Sequence, residues 1–371
     1  MDGYHTYYKF ENEFRKSYHE YEAIDVLAQL TSILFWKKNY GSIKLYSNTN
    51  HLDLIKKYGI DKEYDFIDTN LLDSMPYKDK ASRYWSFSKI HVAKEISKYD
   101  KEFCIIDTDL WIKEPNLLNT DSDFSLYHEE HFDINIGFNN YHDPINWMDD
   151  IEEFDWNCWP MNCAIMYFNN RTKELIDSWY NEATKVIELD KNPDNLKNKL
   201  NSAIFIEQRL LPTIARKLAI TCSSIKPNAF LVRTFKENIE WNKKWKPFLN
   251  SSDESLKIEH SIIHLWGKRI KYHDDWTRKN VLKQILRDLQ QFSGIEQKYE
   301  KLFSECYKLM ADLMNAYEDA YDYHIERGKS EKIAEIEAYS ASHGVSSEFL
   351  EDEEMKAKLE EIGYSIKKDL D

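Results

Sequence analysis

The sequence predicts an α/β layered fold over roughly its first 285 residues, closed by an α-helical C-terminal appendage. Three observations carry this. Short apolar runs alternate with longer segments of helical period, the pattern of a sheet covered by helices. The chain has 371 residues, 42% of them hydrophobic, with 18 Phe, 24 Tyr and 11 Trp, enough to bury a full-size core and too much apolar surface for a disordered chain. Composition then breaks near residue 280: all 11 Trp lie at or before Trp276 and all 8 Pro at or before Pro247.

The elements follow in order. Tyr4–Phe10 is a short aromatic strand, and a helical pattern covers about Glu20 to Lys38. Ser42–Ser47 is a buried strand, Leu52–Tyr58 a helix, and Tyr64–Thr69 a further strand. A longer helix spans Ala81–Lys98. Phe103-Cys104-Ile105-Ile106 is the most strand-like run, and it stops abruptly at Asp107-Thr108-Asp109. Strands at Phe124–His128, Ala164–Phe168 and Ser261–Leu265, with helices at Lys173–Val186 and Ile204–Leu218, complete this part. In the tail, Ile295, Tyr299, Leu302, Cys306, Leu309, Leu313 and Tyr317 step by three or four, the period of an amphipathic helix. A second helical stretch follows Ser346-Ser347. The tail packs as an appendage or serves oligomerisation or partner contact.

Charge and punctuation exclude several functions. Lys+Arg total 50 against 65 Asp+Glu, a formal charge of −15, so nucleic acid and anionic bilayers meet net repulsion. From Gln291 to Asp371, 20 acidic residues face 10 basic ones, so two thirds of the net charge lies in the tail. Only 9 glycines occur, and no GxGxxG or GxxxxGK[ST] phosphate loop is present. The five cysteines (Cys104, Cys158, Cys163, Cys222, Cys306) lack CxxC spacing and are expected as reduced core residues. Neither a signal pattern nor an apolar stretch of about 18 residues appears, so a cytoplasmic protein is expected, with a membrane-peripheral position left open. His128-Glu129-Glu130-His131 is not HExxH and is expected as a solvated loop. Trp147, Phe154, Trp156 and Trp159 suit either core packing or stacking on sugars. Ser86 and Ser88 lie outside any GxSxG context.

The sharpest chemical signal is FCIIDTDLW, residues 103–111. It places two carboxylates, Asp107 and Asp109, at the carboxyl end of a buried strand, where open α/β sheets bind ligands. Two like charges on one face repel, and a divalent cation such as Mg²⁺ or Mn²⁺ relieves the conflict while bridging to phosphates. The plain alternative is a strand end turning into solvent. SIIHLWGKR, residues 261–269, adds an imidazole at His264, a glycine at Gly267 for close backbone approach, and the cations Lys268 and Arg269 for a diphosphate.

Together, the DTD motif and His264-x-x-Gly267-Lys268 resemble nucleotide-sugar glycosyltransferases of the GT-A fold, in the group of bacterial galactosyltransferase-like and capsular-type enzymes and glucosylating toxins. The resemblance covers about residues 1–280. RYWSFSKIHVAKEI (Arg83–Ile96) is similar to the helix presenting a basic residue to the donor, with Arg83 and Lys89 as candidates. NCAIMYFNN (Asn162–Asn170) is similar to the family's Asn-x-Gly strand, with Ala164 in place of the glycine. FIEQRLLP (Phe205–Pro212) resembles the helix bearing an acidic-Gln pair, here Glu207-Gln208, where many relatives have Asp. The family's later Lys-Pro-Trp is lacking; Lys271 and Trp276 lie nearby.

The resemblance implies a GT-A catalytic domain at 1–285 and an acidic helical region at 286–371. It implies a mixed central sheet flanked by helices, a divalent cofactor (Mn²⁺ or Mg²⁺), a nucleotide-sugar donor, most simply a UDP-sugar, and a glycan or glycoconjugate acceptor in surface polysaccharide synthesis. Asp107, Asp109 and His264 would ligate the metal; His5, Thr6, Tyr7, Ser47, Arg83, Lys89, Asp107, Thr108, Gly267 and Lys268 would bind the donor. Asp107, Asp109, Glu207 and Gln208 would serve catalysis. An inverting enzyme needs a carboxylate base; a retaining one would place Glu207 or Gln208 near the anomeric carbon. Three rivals remain: a non-catalytic sugar- or nucleotide-binding relative, a transferase acting on DNA bases, and an aspartate-nucleophile phosphatase. The last fits poorly, since Trp111 stands where its motif needs Thr or Val.

Overall fold

The computed structural model describes residues 1–9, 22–81, 83–118, 120–131, 158, 160–190, 203–225, 230–231, 261–265 and 275–311. The chain divides into two compact units, one of Met1–Ser17 with Ala28–His264, the other of Tyr18–Leu27 with Leu265–Asp371.

The first unit is built on a mixed sheet flanked by helices, the α/β class that the alternating pattern predicts. In chain order, β1 is Asp2–Tyr7, α1 Glu22–Asn39, β2 Ile43–Ser47, α2 Thr49–Tyr58, β3 Phe66–Asp68 and α3 Asn70–Asp73. Next come α4 (Phe87–Ile96), β4 (Phe103–Ile106), β5 (Leu110–Ile112), β6 (Phe124–His131), β7 (Met161–Phe168) and α5 (Lys173–Leu189). A π-helical turn at Phe205–Arg209 leads into α6 (Leu210–Lys217), followed by β8 (Cys222–Ser224), β9 (Phe230–Leu231) and β10 (Ile262–His264).

The main sheet runs β3-β2-β1-β4-β7-β6-β8, with β9 also on β6. β3, β2, β1 and β4 are mutually parallel, and β7 joins antiparallel to β4. The chain moves outward from β1 through β2 to β3, then returns to place β4 on the other side of β1. That reversal opens a crevice at the carboxyl ends of β1 and β4. All four residues of β4 and all eight of β7 are buried, as expected of central strands covered on both faces. Gly3 on β1 is a packing requirement, since a Cβ there would lie 2.4 Å from the Trp36 indole.

Several sequence expectations are adjusted. The helix expected at Ala81–Lys98 shortens to α4, because residues 83–87 turn tightly: the Arg83 and Tyr84 amides both donate to Lys80 O, and Phe87 N donates to Tyr84 O. His128–His131 is the end of strand β6 rather than a loop, and His128 is buried. Cys104, Cys163 and Cys306 are buried free thiols as expected, but Cys158 is half-buried and Cys222 is exposed on short β8. Strands β5, β8 and β9 have no counterpart in the sequence reading. Trp147, Phe154, Trp156 and Trp159, and the helix after Ser346, lie outside the described residues.

In the second unit, α7 is Asp275–Leu289 and α8 the short Ile295–Lys298, after which a helix runs over residues 300–311. Of the stripe that the three-four spacing predicts, Ile295, Tyr299, Leu302 and Cys306 are buried and Leu309 is half-buried, with Phe303 buried beside them; the pattern past residue 311 lies outside the described residues. Among the described residues, no helix is long and apolar enough to cross a membrane.

Candidate functional site

Strand β4 delivers the Asp-Thr-Asp turn to the crevice. After Ile106 the chain does not continue as strand: Leu110 N donates to Asp107 O at 3.2 Å, closing a tight turn that swings into β5. Asp107 N donates to Ala164 O on β7 at 2.8 Å, and the Asn162 side-chain oxygen caps Ala164 N at 3.0 Å. The start of the turn is thus anchored to β7.

His264 arrives by a different route. β10 pairs antiparallel with β5, setting His264 opposite Leu110 and therefore beside Asp109. Lys113 N adds a bond to Ser261 O at 2.7 Å. His264 Nε2 lies 3.9 Å from Asp107 Oδ2 and 3.8 Å from Asp109 Oδ1, and one ligand atom from each residue falls within 4.8 Å of the others. The Tyr127 ring meets the imidazole edge-on at 5.6 Å. Ligands at about 2.1 Å from one ion lie about 3 to 4 Å apart, so two carboxylates and an imidazole at these separations fit a single divalent cation.

Behind this cluster sits a buried cation. Lys89 on α4 places Nζ 2.6 Å from Asp107 Oδ1, 2.7 Å from Glu207 Oε1 and 3.2 Å from Cys163 O. Burial alone would push its ammonium down, but Asp107 and Glu207 hold it above the usual lysine range. For Asp107, burial and then the charges of Asp109 and Glu207 raise the carboxyl, against the pull of Lys89.

Glu207 reaches Lys89 from the π-helical turn. The helical pattern at 204–218 contains Pro212, which has no N–H to donate and whose ring crowds the carbonyl four residues earlier. A wider turn just upstream accommodates it, and side chains reach the carbonyls there: Trp179 Nε1 donates to Ile206 O at 2.6 Å, and Cys163 Sγ to Glu207 O at 3.6 Å. On the same turn Gln208 is half-buried, with its Oε1 buried and unpartnered.

No protein-family model and no curated protein matches the chain. Among solved structures it is similar to a crystal structure of galactosyltransferase LgtC in complex with donor and acceptor sugar analogues. The identity is 11%, covering 81% of this chain and 100% of that one, with a TM-score of 0.41.

The remaining expected site residues scatter. Arg83 is not at the cluster: its Nε lies 2.8 Å from Asp190 Oδ2, an oxygen that also accepts from Tyr84 OH at 2.6 Å. His5 is fully buried beneath the turn, with Nδ1 on Tyr64 OH at 2.7 Å and Nε2 on Ser32 Oγ at 2.9 Å. Ser32 Oγ in turn donates to Leu110 O. Burial lowers the His5 imidazole to about 3, so it is neutral. Tyr7 stacks on His51 at 4.1 Å, and Ser47 is paired with Tyr7 across β1 and β2. Thr6 Oγ1, Ser47 Oγ and both His51 ring nitrogens are buried without partners. Thr108 is buried within the turn. Gly267, Lys268, Arg269 and Lys271 lie outside the described residues. Sequence reasoning missed Tyr127, Ser32, Tyr64 and His51; a histidine three positions after Asn48 was the available signal for the last.

Proposed function

We propose that this chain is a metal-dependent glycosyltransferase that moves a sugar from a nucleotide-sugar donor, most simply a UDP-sugar, to a hydroxyl acceptor in glycan or glycoconjugate synthesis. The observation that supports this is the Asp107–Asp109–His264 cluster, placed by β4 and the β5–β10 ladder at the carboxyl-end crevice. The activity is assigned to residues 1–285, with 286–371 as its acidic helical appendage and a contact surface for oligomerisation or a partner.

The three side chains would hold Mn²⁺ or Mg²⁺, which when bound supplies positive charge to a departing nucleoside diphosphate. Asp107 and Asp109 direct one oxygen each toward the imidazole, and the hydrogen-bonded turn keeps that pair from splaying under its own repulsion. Lys268 and Gly267 are assigned to the diphosphate, and Thr6, Tyr7 and Ser47 to the nucleoside. Gln208, with an unpartnered amide oxygen, is assigned to a sugar hydroxyl. Glu207, tied to Lys89, contributes fixed negative charge near the reacting sugar.

Hydrolysis of a panel of nucleotide sugars with Mn²⁺, Mg²⁺ or EDTA checks this. Slow release of one nucleoside diphosphate is expected with metal. EDTA should abolish it, and Asp109→Asn should reduce it by about 10² or more, the scale of losing a group that stabilises developing charge. If neither turnover nor metal-dependent nucleotide binding occurs with any donor, the reading fails.

A further inference from the structure

Lys89 is resemblance-assigned to the donor, yet its geometry points inward. An ammonium has three N–H donors, and three acceptors surround this one: Asp107 Oδ1, Glu207 Oε1 and Cys163 O, at 2.6, 2.7 and 3.2 Å. Its side chain is only 9% exposed. No donor is left for a ligand. Asp107 meanwhile divides its two oxygens, Oδ1 to Lys89 and Oδ2 toward His264. Glu207, 118 residues further along the chain, is 2% exposed and held by the same ammonium.

Counting charge around the crevice gives three carboxylates, Asp107, Asp109 and Glu207, against one ammonium, with His264 as a neutral ligand. Without Lys89 the pocket would present three negative charges, and Glu207 would be a fourth candidate ligand. With it, two net charges remain, matching one divalent ion, and Glu207 has its own partner.

We propose that Lys89 is a positioning residue that sets the charge and the ligand set of the cation site, holding Asp107 by one oxygen and keeping Glu207 out of coordination. The inference rests on the metal-dependent reading above. It makes Lys89 an internal counter-ion that limits how tightly the site takes its metal, rather than a contact to substrate.

Mn²⁺ titration of the full chain, followed by loss of the free-ion electron paramagnetic resonance signal, tests this without any turnover. Removing a unit charge a few ångströms from a bound divalent ion changes affinity by about tenfold or more even with strong screening. Lys89→Met is therefore expected to bind Mn²⁺ at least about tenfold tighter, and Glu207→Gln about tenfold weaker although it touches no ligand position. The double variant Lys89→Met/Glu207→Gln restores the original net charge, the two opposite changes cancelling, and is expected within about threefold of wild type. Lys89→Arg, which keeps the cation, should stay near wild type. If Lys89→Met does not fold, Glu207→Gln and the double variant still decide. Wild-type affinity in Glu207→Gln, or a double variant as far from wild type as Glu207→Gln alone, overturns the role of Lys89. A wild-type chain that takes up no Mn²⁺ overturns the metal-dependent reading itself, a separately visible result.

Discussion

At the scale of single residues, the histidines show how one residue type resolves in opposite ways. His264, in an apolar run, stands beside Asp107 and Asp109, while His5, on early strand β1, is a core histidine with both nitrogens satisfied. Each imidazole lies on a strand among apolar neighbours, and only His264 is followed by the glycine and cations of SIIHLWGKR. The antiparallel pairing of β10 with β5 then sets His264 opposite Leu110. His51 is a third case, buried on Tyr7 with no partner for either nitrogen. Burial, then Lys9 and His5, lowers its imidazole from 6.5 to about 3. The folded value is below the unfolded one, so the unfolded state binds more protons between them. The stability of the neutral form is complete above pH 6.5 and is lost as pH falls toward 3. Between pH 6.5 and 5 this amounts to about 2 kcal/mol. His51→Leu is expected to hold or raise the urea midpoint at pH 7 and to flatten its fall toward pH 5 by about one proton. A wild-type slope in that variant would contradict the assignment.

At the scale of elements, apolar runs and periodic segments were legible, and the short strands outside such runs, β5, β8 and β9, were not. β4, β7 and α5 show in the sequence because apolar runs and three-four spacing persist over several residues. β10 was legible as the run Ser261–Leu265, but β5 has three residues, too few for a period, and nothing in the sequence shows that the two pair and set His264 opposite Leu110. The π turn had a readable cue in Pro212, though not its outcome, the aiming of Glu207 at Lys89. Arg83, expected at the donor, is buried against Asp190. Its guanidinium and Tyr84 both meet Asp190 at the end of α5, tying the turn before α4 to a helix terminus 106 residues away from Tyr84. Asp190→Ala leaves a buried cation without its carboxylate, and a loss of about 3 to 5 kcal/mol in urea unfolding is expected. A change under about 1 kcal/mol would mean that the pair is no more than a surface-type contact.

At the scale of the whole molecule, the α/β class follows from alternation, but strand order does not, because outward and returning strands look alike in sequence. Net charge was legible outright. At −15 the chain is expected to leave duplex DNA unshifted in electrophoresis even at about 50 mM salt, where phosphate contacts are strongest. A salt-sensitive shift would instead favour action on DNA bases. The assembly of the cluster also has an order in time. A chain emerging from the ribosome carries Asp107 and Asp109 long before His264, and β5 waits just as long for β10. Until then the two carboxylates face each other with Lys89 but no imidazole, and Glu207 joins them before the histidine does. Maturation of the centre is therefore a late event of synthesis, and a chain halted before residue 264 would hold a sheet but an unfinished centre.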